Sequence, residues 1–113
     1  MHEMALSQSL IDLIEGERQA HAFARVRRIR VTLGAFSNVE PEALRFGFEV
    51  ASRGTVAENA ELLLDLTPAR AWCIPCGESM TLSRQGEGCP RCGRHQLMPE
   101  SGDEMRLTEL EIA

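Results

Sequence analysis

Cys73-Ile-Pro-Cys76-Gly77 and Cys89-Pro-Arg-Cys92-Gly93 hold all four cysteines of the 113-residue chain, in two Cys-x-x-Cys-Gly pairs. A glycine directly after the second cysteine accepts φ > 0 and turns the backbone, so the two thiolates of a pair converge on one point. Two such turns facing each other supply four thiolates, the ligand set of a tetrahedral structural zinc site. The intervening residues, 77–88, suffice for a short hairpin and not for a domain. The stretch therefore reads as a zinc ribbon.

Three rivals share parts of this pattern. Two disulfides would need an oxidising compartment. The N-terminus lacks the basic start and unbroken apolar run of a signal peptide, because Ser7, Gln8, Ser9 and Asp12 interrupt it. A thioredoxin-like pair would stand alone between a strand and a helix. Iron in a rubredoxin-like site is the closest rival, since its turns also read Cys-x-x-Cys-Gly and geometry does not separate the metals. An aromatic content of 4% favours zinc, because little aromatic packing is available to surround an electron carrier.

Working outward, hydrophobic residues make up 43% of the chain and tyrosine is absent, which implies an aliphatic core. The net charge of −5 repels phosphate backbones and argues against nucleic acid as a partner, although Arg25 to Arg30 and Arg84 to Arg94 are locally basic. No apolar run approaches the ~20 residues that span a bilayer, so no membrane partner and a cytoplasmic location are expected.

Before the cysteines the chain alternates helix and strand. Leu6, Leu10, Leu13 and Ile14 recur at helical spacing over residues 4–20, with Met4 and Ile11 flanking. From Arg27 to Gly34 the period becomes two: Ile29, Val31 and Leu33 face one way, Arg28, Arg30 and Thr32 the other. The arginines read as the wet side of a strand. Pro41 opens a second helix running to about Arg53, with a stripe of Leu44, Phe48 and Ala51 widened by Phe46 and Val50, and Gly54 closing it. Residues 61–67 alternate again, placing Leu62, Leu64 and Leu66 inside. Trp72, beside the first cysteine, is expected to lid the metal. Beyond the cysteines, residues 104–112 form a last strand whose apolar phase changes near Thr108-Glu109, which a β-bulge would reconcile.

The expected fold is α+β, with two helices on a small three-stranded sheet and an inserted zinc-ribbon domain. Residues 1–68 and the closing strand 103–113 form one domain, and residues 69–102 the zinc ribbon.

A second signal lies at Met1-His2-Glu3. A histidine at position two can chelate through its imidazole and its own deprotonated amide, with the terminal amine adding a further nitrogen. Ni(II) and Cu(II) accept such planar nitrogen sets and zinc does not favour them. At position two the fourth donor must come from elsewhere, which leaves the site exchangeable. Alone, an N-terminal Met-His is more often a frayed end. His21 reads as a helix-terminus residue, and His95, three beyond Cys92, as a surface residue.

Met-His-Glu at the start, the helix after it, Gly34-Ala-Phe-Ser-Asn-Val-Glu-Pro-Glu-Ala-Leu-Arg-Phe46, the two cysteine pairs and Gly102-Asp-Glu-Met-Arg-Leu-Thr-Glu-Leu-Glu-Ile112 together resemble the HypA family. These are the nickel metallochaperones of hydrogenase maturation, and the resemblance runs the length of the chain. It implies a nickel site on His2 and Glu3, with Glu40 at the position implicated in nickel binding in some members. It implies structural zinc on Cys73, Cys76, Cys89 and Cys92. It further implies transfer rather than catalysis, with Ni(II) as cargo, together with a maturation GTPase (HypB-like). The recipient would be the [NiFe]-hydrogenase large subunit, and urease in some members; a homodimer is left open. A zinc-domain histidine helps to hold nickel in a few members, but the loop here has none between its cysteine pairs and the role is not carried to His95. The alternatives are a zinc-ribbon adaptor binding RNA or protein through Arg84, Arg91 and Arg94, and a rubredoxin-like electron carrier.

Overall fold

The computed structural model describes residues 2–113. The elements in order are α1 (Glu3–His21), β1 (Val26–Gly34), α2 (Pro41–Ala51), β2 (Glu61–Thr67), β3 (Ala69–Cys73), β4 (Glu78–Leu82), β5 (Leu97–Ser101) and β6 (Met105–Ile112). They make two three-stranded sheets, β2-β1-β6 and β4-β3-β5. The chain divides into two compact units, one holding the residues through Val31 with Val39–Leu64 and Leu107–Ala113, the other holding Thr32–Asn38 and Asp65–Arg106.

In the first unit α1 packs on α2. The buried stripe of α1 is Ser7, Leu10, Ile11 and Ile14, spaced i, i+3, i+4, i+7. This corrects the stripe expected from apolarity: Leu13 is 53% exposed and Ser7 is fully buried. Ser7 goes inside because its small side chain sits where the helices come close, its hydroxyl donating to the Leu44 carbonyl at 3.3 Å. On α2, Leu44, Gly47 and Phe48 are buried, while Phe46 is 67% exposed and does not widen the core stripe. The helix ends at Ala51, with Ser52 as its C-cap, short of Arg53.

The arginines of the central strand β1 meet acids on both flanking strands. Arg28 pairs with Glu61 and Glu111, each at 2.8 Å, and Arg27 reaches Glu111 at 3.4 Å. Arg30 lies 3.5 Å from Glu109. Cross-strand pairing of this kind suits a solvated sheet face. On β2 the expected alternation fades: Leu62 is buried, Leu64 half-buried and Leu66 exposed. On β6, Leu107 and Leu110 are half-buried with Thr108 and Glu109 both exposed between them, so the phase changes where the sequence changes phase.

In the second unit β3 is central and antiparallel to both β4 and β5. Its pattern alternates, with Ala69, Ala71 and Cys73 buried and Arg70 and Trp72 outward. Trp72 therefore cannot lid the metal. It stands next to Cys73 in sequence but on the opposite face, across from Met98, because successive strand residues point to opposite faces. The hairpin also begins earlier than residues 77–88 suggested. It is β3–β4, with the first cysteine turn as its connection, and alanines on β3 gave no apolar signal to mark it.

The stripe on α1 has a direct test. Leu10→Ala is expected to lower the unfolding free energy by about 2–5 kcal/mol, and Leu13→Ala by about 0.5 kcal/mol or less, in urea titrations followed by circular dichroism. Equal losses would return Leu13 to the core.

Candidate metal centre

Each cysteine pair closes in the same way. The Gly77 N–H donates to the Cys73 carbonyl and the Gly93 N–H to the Cys89 carbonyl, both at 2.8 Å. Gly77 and Gly93 take φ of 67° and 77°, the left-handed conformation the motif demands. Two further backbone bonds tie the turns to the following chain: Ile74 N–H to Gln96 O at 3.0 Å and Cys89 N–H to Arg94 O at 2.8 Å. The result brings the four Sγ atoms within 4.8 Å of one another. Cys73 and Cys92 sulfurs are 3.7 Å apart, those of Cys76 and Cys89 4.0 Å. Tetrahedral Zn–S bonds of ~2.3 Å place sulfurs roughly 3.8 Å apart. The cage fits the ion.

Its electrostatics fit as well. Burial pushes Cys73 up and Cys76 up to about 12, with neighbouring thiols adding to the rise at Cys76. The Cys92 backbone N–H, with that of Arg91 at 3.4 Å from its sulfur, draws Cys89 down to about 7. At neutral pH the protein alone therefore does not hold four thiolates, and a bound dication supplies what deprotonates the set. Met80 and Leu97 pack against the cysteines and keep one side of the cage dry, while Cys92 is exposed.

The N-terminal residues are placed differently. His2 is the exposed N-cap residue of α1; its carbonyl accepts from the Leu6 N–H and its side chain makes no capping bond. Glu40 is the N-cap of α2, its carboxylate accepting from the Ala43 N–H at 2.7 Å. The Glu40 N–H in turn donates to the Glu3 carboxylate at 3.3 Å. Residues 37 positions apart thus meet at the starts of the two helices. The carboxyl of Glu3 is held below its ordinary value by its own backbone N–H and that of Glu40. The capping role of Glu40 was missed in the sequence, although an acid directly before Pro41 is a helix-start signature. The terminal amine of Met1 lies outside the described residues. Among the described residues, the four cysteines are the one group of histidine, cysteine or acidic side chains gathered closely enough to hold an ion.

Neither of the other histidines belongs to the gathered group. His95 is exposed near Gly88, and His21 lies 3.5 Å from Glu17 at the end of α1. Arg91, one of three arginines that could have contacted nucleic acid, is bonded to Glu78 at 2.6 Å.

Comparison with known proteins finds relatives over nearly the whole chain. The family model described as "Hydrogenase/urease nickel incorporation, metallochaperone, hypA" matches residues 1–112. Hydrogenase maturation factor HypA of Acidithiobacillus ferrooxidans is 40% identical over 112 residues, covering 99% of each chain. Its counterpart in Rhodopseudomonas palustris is 45% identical with the same coverage. In fold, the chain is similar to the solution structure of the Ni metallochaperone HypA from Helicobacter pylori, with a TM-score of 0.69, 24% identity and coverage of 99% and 97%.

Zinc removal tests the cage. Because thiols must lose protons to bind it, zinc uptake at neutral pH is expected to release protons, and affinity to fall as pH falls. Chelation is expected to collapse the dispersed amide resonances of residues 69–102, where metal binding supplies on the order of 10 kcal/mol, while helical circular dichroism persists. Unchanged resonances after complete zinc loss would show a sheet that stands without its ion.

Proposed function

The chain belongs to the HypA family, and from that premise we propose how it works as a nickel metallochaperone of hydrogenase maturation: zinc stays in the cysteine cage, and nickel is carried at the first three residues. The observation that carries the reading is the full-length family match with His2 and Glu3 in place at its start. His2 binds Ni(II) through Nδ1 and its own amide nitrogen, with backbone nitrogens of residues 1–3 completing most of a planar set. Glu3 steers the site, and Glu40 supports it by donating its N–H to Glu3 while its carboxylate caps α2.

An incomplete nitrogen set suits a cargo that must leave. Protons compete with the metal for both nitrogen types, so nickel affinity is expected to fall as pH falls. The Glu3 contact behaves differently. Its carboxyl is held below 4.5, so the contact contributes above that value and is lost only as pH falls through the lowered one. Acid therefore loosens nickel at the nitrogens.

The role is transfer, without catalysis. The domain around α1, α2, β1, β2 and the closing strand (residues 1–68 and 103–113) carries nickel, and residues 69–102 hold zinc. The partners are a HypB-like maturation GTPase and the [NiFe]-hydrogenase large subunit, with urease as a second destination and a homodimer as one assembly. The setting is the cytoplasm; no helix among the described residues is long and apolar enough to cross a membrane.

Isothermal titration tests the nickel site. His2→Ala is expected to abolish the tight nickel isotherm with zinc content unchanged, and one extra residue before Met1 to weaken it by displacing the amine. Nickel binding that survives His2→Ala at full affinity would place the cargo elsewhere.

A further inference from the structure

The contact between α1 and α2 is unusually close at one point, and that point touches the nickel-bearing turn. A Cβ built on Gly47 would lie 2.7 Å from the Ser7 hydroxyl, 3.1 Å from the Met4 sulfur and 3.4 Å from the Glu3 carbonyl oxygen. Real Cβ atoms are not found under 3.0 Å from such a neighbour. Ser7 has little freedom to yield, being fully buried with its hydroxyl on the Leu44 carbonyl. Gly47 itself is buried in the middle of a helix, a position where glycine costs helix stability relative to alanine. Gly16 of α1 has nothing within 4 Å of an added Cβ. The absent side chain is thus spatially required at one glycine and not at the other.

We propose that Gly47 and Ser7 are positioning residues of the nickel site: the bare surface of α2 lets the first turn of α1 settle on it, which holds Glu3 against the Glu40 N–H and sets the direction in which His2 is presented. This rests on the reading of residues 1–3 as the nickel site. The chain of contacts is continuous. The Glu3 carbonyl oxygen lies 3.4 Å from where a side chain on Gly47 would begin, the Glu3 carboxylate takes the Glu40 N–H at 3.3 Å, and Ser7, one turn along α1, is latched to Leu44. Bulk at position 47 must either turn Ser7 off Leu44 or lift the first turn of α1, and lifting it pulls Glu3 from Glu40. Groups that orient metal ligands without touching the metal are worth about 10–100-fold in affinity.

The test compares nickel affinity by isothermal titration, and the absorption band of bound Ni(II), in the parent, Gly16→Ala, Gly47→Ala, and Gly47→Ala combined with Ser7→Ala. Zinc content and thermal melts are measured alongside. The expected result is an affinity about 10-fold or more weaker in Gly47→Ala, with a shifted band, a cooperative melt and a full zinc complement. Gly16→Ala should match the parent, and removing the Ser7 hydroxyl should recover part of the loss. Should Gly47→Ala fail to fold, Ser7→Thr, which adds one methyl to the other side of the same contact, is judged by the same criteria. A folded Gly47→Ala or Ser7→Thr protein within twofold of the parent overturns the positioning role and leaves the nickel reading intact. A parent that takes up no nickel overturns both.

Discussion

Four sulfur atoms within 4.8 Å of each other are the constraint on which the second unit depends. Thiolates that close repel, and burial raises the cost of ionising Cys73 and Cys76 further. A dication reverses the sign of that energy, converting a mutually repelling cluster into a cross-link. The short strands β3, β4 and β5 bury few side chains beyond Met80, Leu82 and the alanines of β3. A core of that size needs a staple, as small modules generally do.

The proposed nickel position follows the opposite logic. His2 is exposed, and it is the N-cap residue at the start of a helix. What the fold provides there is support from behind: a carboxylate held by a backbone amide, and two helices brought close by a glycine and a serine. A closed site retains its ion by wrapping it. An open one, resting on a firm base, can hold an ion long enough to carry it and still present it to a better set of ligands.

Most of the fold was legible because its strongest signals are local. The cysteine turns declare themselves through spacing and glycine, and Gly77 and Gly93 adopt the positive φ that spacing required. Strand β1 shows its two faces as alternating arginines and aliphatics, and Pro41 marks the start of α2. The misreadings came where tertiary context overrides apolarity. Leu13 looked like core and Ser7 was not part of the expected stripe, yet the close helix approach selects the smaller side chain. Trp72 was placed over the metal by adjacency to Cys73, although strand alternation sends neighbours to opposite faces. Ala69 and Ala71 hid a central strand. The four cysteines that gather closely enough to hold an ion could be named from sequence, whereas the link between Glu3 and Glu40 could not, because it joins residues 37 apart through backbone.

The charged lattice on the first sheet has a consequence of another kind. Its outer strands β2 and β6 carry Glu61, Glu109 and Glu111, each drawn toward an arginine of the middle strand. A second copy of either outer strand would bring like-charged carboxylates beside these, and charged side chains on edge strands discourage edge-to-edge pairing. Self-association through those margins is thereby disfavoured, and the sheet can stay unfinished at both sides without becoming a template for fibres.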